Sequence, residues 1–207
     1  IVFFGAGPYV GPMIETLSRE FDVVLVISSI EKFNDQLINQ LKSSGARVAV
    51  LASFGSIIPK KVLEVFEFGI INIHPSLLPK YRGPTPVQSA ILNGETTTGV
   101  TIIKLDSEVD HGPILAQEEI TLDSTETTEN LSKKLFGLGA EMVIKIVRKM
   151  RKALSVKEKE QDHSKATFTE RLTRESGYID IDHAPRVTRH PLSPLRSNSG
   201  QALRASQ

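Results

Sequence analysis

Cysteine is absent from the 207 residues. That excludes a disulfide framework, a thiolate nucleophile and cysteine-ligated zinc or iron–sulfur sites, and it agrees with a cytoplasmic enzyme. Long apolar runs are absent too; none approaches the ~18 residues of a membrane span. The opening IVFFGAGPYVGPMI has no basic stretch and carries Gly and Pro early, so it makes a poor signal peptide. It does not start with Met, and the expectation is that one or two residues precede it. No Gly-x-Ser-x-Gly elbow is present. An excess of either charge is absent: 25 Lys and Arg against 24 Asp and Glu leave a net +1. His183 to Gln207 holds four Arg and no Lys, Asp or Glu, which leaves −3 on the rest. By charge, the body is not a basic nucleic-acid surface.

What is present is an ordinary globular composition, 40% hydrophobic and 24% charged. The length suits one domain, or one domain with an appendage. Ile1 to Phe4, Asp22 to Ser29, Arg47 to Ser53 and Gly69 to His74 read as short, nearly continuous apolar strands. Between them lie a helix opened by Pro8, a helix from Glu31 to Ser44 closed by Gly45, and a short helix after Pro59. PSLLPKYRGPTP is a rigid loop. A helix over Val87 to Leu92 and strands over Gly99 to Leu105 and Ile114 to Leu122 follow. A long helix is expected from Asp123 or Ser124, with Glu126 completing a capping box and Leu131, Leu135, Leu138, Met142, Ile146 and Met150 as its core face. Gly137 and Gly139 weaken that helix. Alternating strands and helices predict an α/β fold: an open, mostly parallel Rossmann-like sheet with helices on both faces. The expected division is a domain over 1–155, a linker over 156–182 and a disordered tail over 183–207.

The glycines of Gly5-x-Gly7-x-x-x-Gly11 nearly match a dinucleotide fingerprint, but the third is one position late. Ser28 and Ser29 stand where a ribose-binding acid belongs, so these glycines serve turn geometry. Asn72 and His74 are two apart on a strand and share a face at its C-terminal end. They form either part of a ligand site or a hydrogen-bonded pair that fixes the next loop. Asp106 and Asp110 close another strand, and Asp110 lies in a tight turn before Gly112-Pro113, as a chemical group or as an Asx turn. His111 has no metal-ligand spacing around it and reads as an exposed loop residue; no metal is expected. Asn, His and Asp together suit acyl transfer to an amine. An amide and an imidazole can donate to a developing oxyanion, and a carboxylate can orient the imidazole and help take a proton from the amine.

The stretch INIHPSLLPKYRGPTPVQSAILNGETTTGVTIIKLDSEVDHGPILAQ resembles the signature region of the 10-formyltetrahydrofolate-dependent formyltransferases, nearest to the branch that acts on methionyl-tRNA. The likeness runs from Ile1 to about Asp182 with one gap, and is most specific from Phe54 to Gln117. It implies that Asn72, His74 and Asp110 are catalytic, that Ser76, Leu77, Leu78 and Pro79 form part of the folate wall, and that Arg82 and Gly83 belong to a loop over the site. It implies 10-formyltetrahydrofolate as formyl donor, initiator methionyl-tRNA as partner, a cytoplasmic monomer and no membrane or metal. The opening IVFFGAGPYVGP fits that branch better than the glycinamide-ribonucleotide branch, which carries a Gly-Ser-Asn loop there. Two departures stand out. The family's basic loop, helix and strand after the second strand are missing where VISS runs into IEKFNDQL; those residues are absent either from the protein or from this chain. QDHSKATFTERLTRESGYIDID resembles the lead-in to a tRNA-binding barrel, then gives way to a tail with no such likeness. Formylation of a small amine such as an amino sugar, and a non-catalytic folate-binding fragment, are the alternatives.

Overall fold

A strand covered on both faces has no solvent side, so it reads as a continuous apolar run. Four such strands form the centre of this chain. The computed structural model describes residues 1–29, 33–123, 125–174 and 176. Contacts divide the chain into Ile1–Arg171 and Leu172–Gln207, and the sheet and its helices all belong to the first unit. Its elements are β1 (Val2–Phe4), α1 (Val10–Ser18), β2 (Leu25–Ile27), α2 (Asp35–Ser43), β3 (Ala49–Leu51), α3 (Lys60–Leu63), β4 (Ile70–His74), α4 (Pro86–Leu92), β5 (Thr97–Lys104), β6 (Ile114–Thr121) and α5 (Thr128–Arg151), followed by a short 3-10 turn at His163–Lys165.

The sheet order is β2-β1-β3-β4-β5-β6. The first four strands are parallel. β5 runs antiparallel to β4, and β6 antiparallel to β5. The expected open, mostly parallel sheet with helices on both faces is therefore present. On one face Phe3, Val50, Ile71, Ile73, Val100 and Ile102 pack against α1 and α5. On the other, Val2, Phe4, Ala49, Leu51 and Ile70 pack against α2 and α3. Asn72 and His74 share that second face, just beyond the part the helices cover.

Several local expectations are corrected. Pro8 lies in the turn before α1; Pro12 sits in the helix's first turn instead, where a missing N–H costs no intrahelical bond. The second strand contracts to Leu25–Ile27. The start of the second helix at Glu31 lies outside the described residues; α2 itself is capped by Asn34, whose side chain accepts from Leu37 N at 2.9 Å. The long helix starts later than Asp123. Asp123 is occupied by the N–H and hydroxyl of Thr125, while Thr127 and Asn130 cap α5 reciprocally. The junction at 30–32 and the tail at 183–207 also lie outside the described residues.

Candidate active site

The antiparallel turn of β5 changes how the site is built. Lys104 pairs with Ile71, so β5 ends beside the start of β4 rather than beside His74. Asp110 does not sit at a neighbouring strand end, as the chain order suggests. The loop between β5 and β6 folds back over the sheet face and delivers it. Asn72 Nδ2 donates to Asp110 Oδ1 at 3.0 Å. His74 Nδ1 lies 3.4 Å from Asp110 Oδ2, and the Gly83 N–H donates to that same oxygen at 2.8 Å. Asn72 and His74 are buried, and Asp110 is nearly so.

His74 Nε2 lies 2.9 Å from the Tyr81 carbonyl. A carbonyl only accepts, so Nε2 carries a proton and donates. Nδ1 is therefore the nitrogen left to face Asp110, and it becomes a donor when the ring is protonated. The Tyr81 carbonyl is itself held from several sides. Tyr81 has a left-handed backbone, φ 62°. Its N–H donates to Thr167 Oγ1 at 2.8 Å. Its phenol donates to Glu95, and Asn93 Nδ2 donates to the phenol oxygen. Burial, then the bond to Glu95, pushes the phenol above its ordinary range. The hydrogen bond from Lys80, then that from Tyr81, holds the Glu95 carboxyl below its own.

The trio borders a pocket of about 670 Å³. Phe54, Ile57, Ile58, Leu105 and Val109 are among its apolar lining, with Tyr9, Val87 and Phe136. Tyr9 and Phe136 stack with centroids 5.4 Å apart. Four described residues other than glycine have left-handed backbones, and three of them, Ser53, Tyr81 and Asp110, lie at this site. Such conformations persist where the surroundings over-determine them, often at functional sites.

The remaining expected site residues are placed differently. Gly83 lines the pocket with φ 106°, and a Cβ there would lie 2.8 Å from the Thr169 carbonyl oxygen. Arg82 is buried and turns away from the pocket; its guanidinium donates to Gln161 Oε1 at 2.7 Å and to His163 Nδ1 at 2.9 Å. Ser76 to Pro79 are not among the pocket's lining residues. Ser76 Oγ donates to the Lys80 carbonyl, Leu78 packs with Ile103 and Ile114, and the Leu78–Pro79 peptide is cis. His111 is half-buried rather than exposed. It donates through Nδ1 to Asp106 Oδ2 at 2.6 Å and stacks on His163 with centroids 4.0 Å apart. The sequence reading missed Tyr81, Thr167 and Gln161, which no periodicity or spacing marks. Among the described residues no group of His, Cys, Asp and Glu is arranged to hold a metal, and no helix is long and apolar enough to cross a membrane.

The formyl transferase profile matches residues 10–147. The methionyl-tRNA formyltransferase of Thermotoga sp. (strain RQ2) is 42% identical over 160 residues, covering 77% of this chain and 51% of that protein. That of Thermodesulfovibrio yellowstonii is 34% identical over 217 residues, covering 90% of this chain and 70% of that protein. The chain spans about half the length of several curated relatives it matches. Among solved structures, HypX from Aquifex aeolicus in complex with tetrahydrofolic acid shares the fold. Its TM-score is 0.72 at 17% identity, covering 89% of this chain and 32% of that one.

Proposed function

This chain belongs to the formyl transferase family, and from that premise we propose that it transfers a formyl group from 10-formyltetrahydrofolate to the α-amine of methionyl-tRNA. One observation carries the chemistry: Asn72, His74 and Asp110 converge on one edge of a pocket large enough for a flat heterocycle and its tail. The methionyl-tRNA substrate rests on the named relatives. The donor fits the lining. Phe54, Ile57, Ile58, Leu105 and Val109 supply apolar walls, as do the stacked Tyr9 and Phe136, beside the trio.

The donor supplies an activated formyl carbon. The acceptor nitrogen bonds to that carbon as the bond from the carbon to the donor nitrogen breaks. The acceptor loses one proton and the donor nitrogen gains one. Negative charge collects on the formyl oxygen during the transfer. Asn72 keeps one amide N–H beyond the one given to Asp110, a buried donor where hydrogen bonds to a developing oxyanion count most; an Nδ1–H on His74 is shared between the Asp110 carboxylate it faces and the formyl oxygen. Asp110 orients both donors and can accept the proton the amine gives up. Incubation with 10-formyltetrahydrofolate and methionyl-tRNA, read as N-formylmethionine, tests the proposal. Transfer to an amino sugar with none to methionyl-tRNA overturns the acceptor and keeps the chemistry. No transfer to either overturns both.

A further inference from the structure

Asp110 is a short acidic side chain on a loop, and nothing in its own hairpin fixes where it points. Its backbone is left-handed, φ 48°. Asp tolerates that conformation better than most residues, and contacts from outside the turn can hold it there. The group that contacts this turn from outside is Gln161, ten residues past the end of α5. Its amide Nε2 lies within hydrogen-bond distance of three successive carbonyls, those of Asp110 at 2.9 Å, His111 at 3.0 Å and Gly112 at 2.8 Å, so its two N–H groups are shared among them. Gln161 is buried, and so is its partner Arg82. Arg82 donates from Nε and Nη2 to Gln161 Oε1, at 3.3 and 2.7 Å, which sets the amide's orientation and aims Nε2 at the loop. Arg82 in turn is next to Gly83, whose N–H binds the Asp110 carboxylate.

We propose that Gln161 is a positioning residue for Asp110: with Arg82 it clamps the β5–β6 loop so that the carboxylate faces Asn72 and His74. The segment beyond α5 is then part of the catalytic apparatus. It holds the loop from behind, while Gly83 holds the carboxylate from in front. His163 completes the brace. It accepts from Arg82 at Nδ1, and its ring lies flat on that of His111, which is tied through Asp106 to the same loop. A buried guanidinium usually takes a carboxylate partner. Here its acceptors are the Gln161 amide oxygen and His163 Nδ1.

The inference rests on the formyl-transfer reading for its kinetic consequence, but not for its geometry. Two variants separate the parts. Gln161→Met removes donor and acceptor at nearly constant length. Gln161→Glu keeps an acceptor for Arg82 and loses the donor to the three carbonyls. Transfer kinetics are measured for both, with the Gly83 amide proton resonance as a direct report on the carboxylate it binds. Both variants are expected to lower kcat about tenfold to a hundredfold, the scale of a misplacement of roughly 1 Å, with the donor KM unchanged. The Gly83 resonance is expected to move in the direction seen in Asp110→Asn. If Gln161→Glu keeps its kcat, or if the Gly83 resonance stays in place, Gln161 does not position Asp110. If the unaltered chain transfers no formyl group, the functional reading fails. The Gly83 resonance then decides the clamp by itself: a shift in Gln161→Glu sustains it and no shift overturns it.

Discussion

His74 meets the pocket through one nitrogen only, because Nε2 is committed to the Tyr81 carbonyl. The ring cannot turn without breaking that bond, so in the proposed transfer donation to the oxyanion falls to Nδ1. In that proposal, alanine here removes a group that acts mainly in the transition state. His74→Ala is expected to lower kcat by about 10²–10³ while the donor KM stays near its original value; near-normal turnover would make His74 structural. Glu95 works one step further out, anchoring the Tyr81 phenol with Lys80 alongside. Its carboxyl is depressed by Lys80 first and Tyr81 second. A depressed carboxyl contributes stability above its unfolded value, roughly pH 4.3, and loses it as pH falls through the folded value. Glu95→Gln should therefore flatten the acid limb of the stability profile. Urea midpoints measured from pH 6 down to pH 3 check this; parallel profiles for the two proteins would refute it.

Two glycines of α5 show how packing overrides propensity. Gly137 and Gly139 carry the same intrinsic helix cost, about 1 kcal/mol against alanine. At Gly137 a Cβ meets nothing within 4 Å. At Gly139 it would lie 2.3 Å from Ile73 Cγ2 and 3.2 Å from Val100 Cγ2, both on buried strands. Ile73 is the residue between Asn72 and His74, so α5 presses on the strand that carries the site. Gly137→Ala is expected to stabilise by up to about 1 kcal/mol. Gly139→Ala is expected to destabilise by about 1–3 kcal/mol through overpacking. Denaturant unfolding of the two variants gives the signs; equal effects would show that Ile73 yields without cost. The start of the same helix was misplaced from sequence because Asp123 and Thr127 are both good caps. The choice falls to Thr127, whose partner Asn130 returns a bond to the Thr127 N–H.

Across the molecule, the pocket and its lining lie within Ile1–Arg171. Residues 1–182 carry −3, so attraction for a polyanion has no general source there. Discrimination among tRNAs needs contacts that read an acceptor stem, whereas phosphate contacts add affinity without selectivity. A polypeptide of these 207 residues by itself is expected to bind the folate donor. It is expected to hold initiator and elongator tRNAs weakly and alike; the four Arg of 183–207 supply the attraction, so the affinity falls as salt rises. Titration of both labelled tRNAs at two salt concentrations tests this. Tight, initiator-selective binding would show that these residues alone read the acceptor.

Periodicity in the chain was enough to place the strands, most of the helices and the shared face of Asn72 and His74, because period two and period 3.6 are local properties of the backbone. The motif stretch from Phe54 to Gln117 was enough to bring Asp110 into the same set. Direction of pairing was not legible. An apolar run such as Gly99 to Leu105 reads the same whether its neighbour runs with it or against it, and only the fold turned β5 antiparallel. That reversal carried Asp110 away from the strand end where chain order put it and made the folded-back loop necessary. The groups that then hold the loop are 27 and 51 residues from Asp110 in the chain. A hydrogen bond across that separation leaves no period and no local composition. Gln161 looked like one more polar residue in a linker until the tertiary structure buried it against three carbonyls.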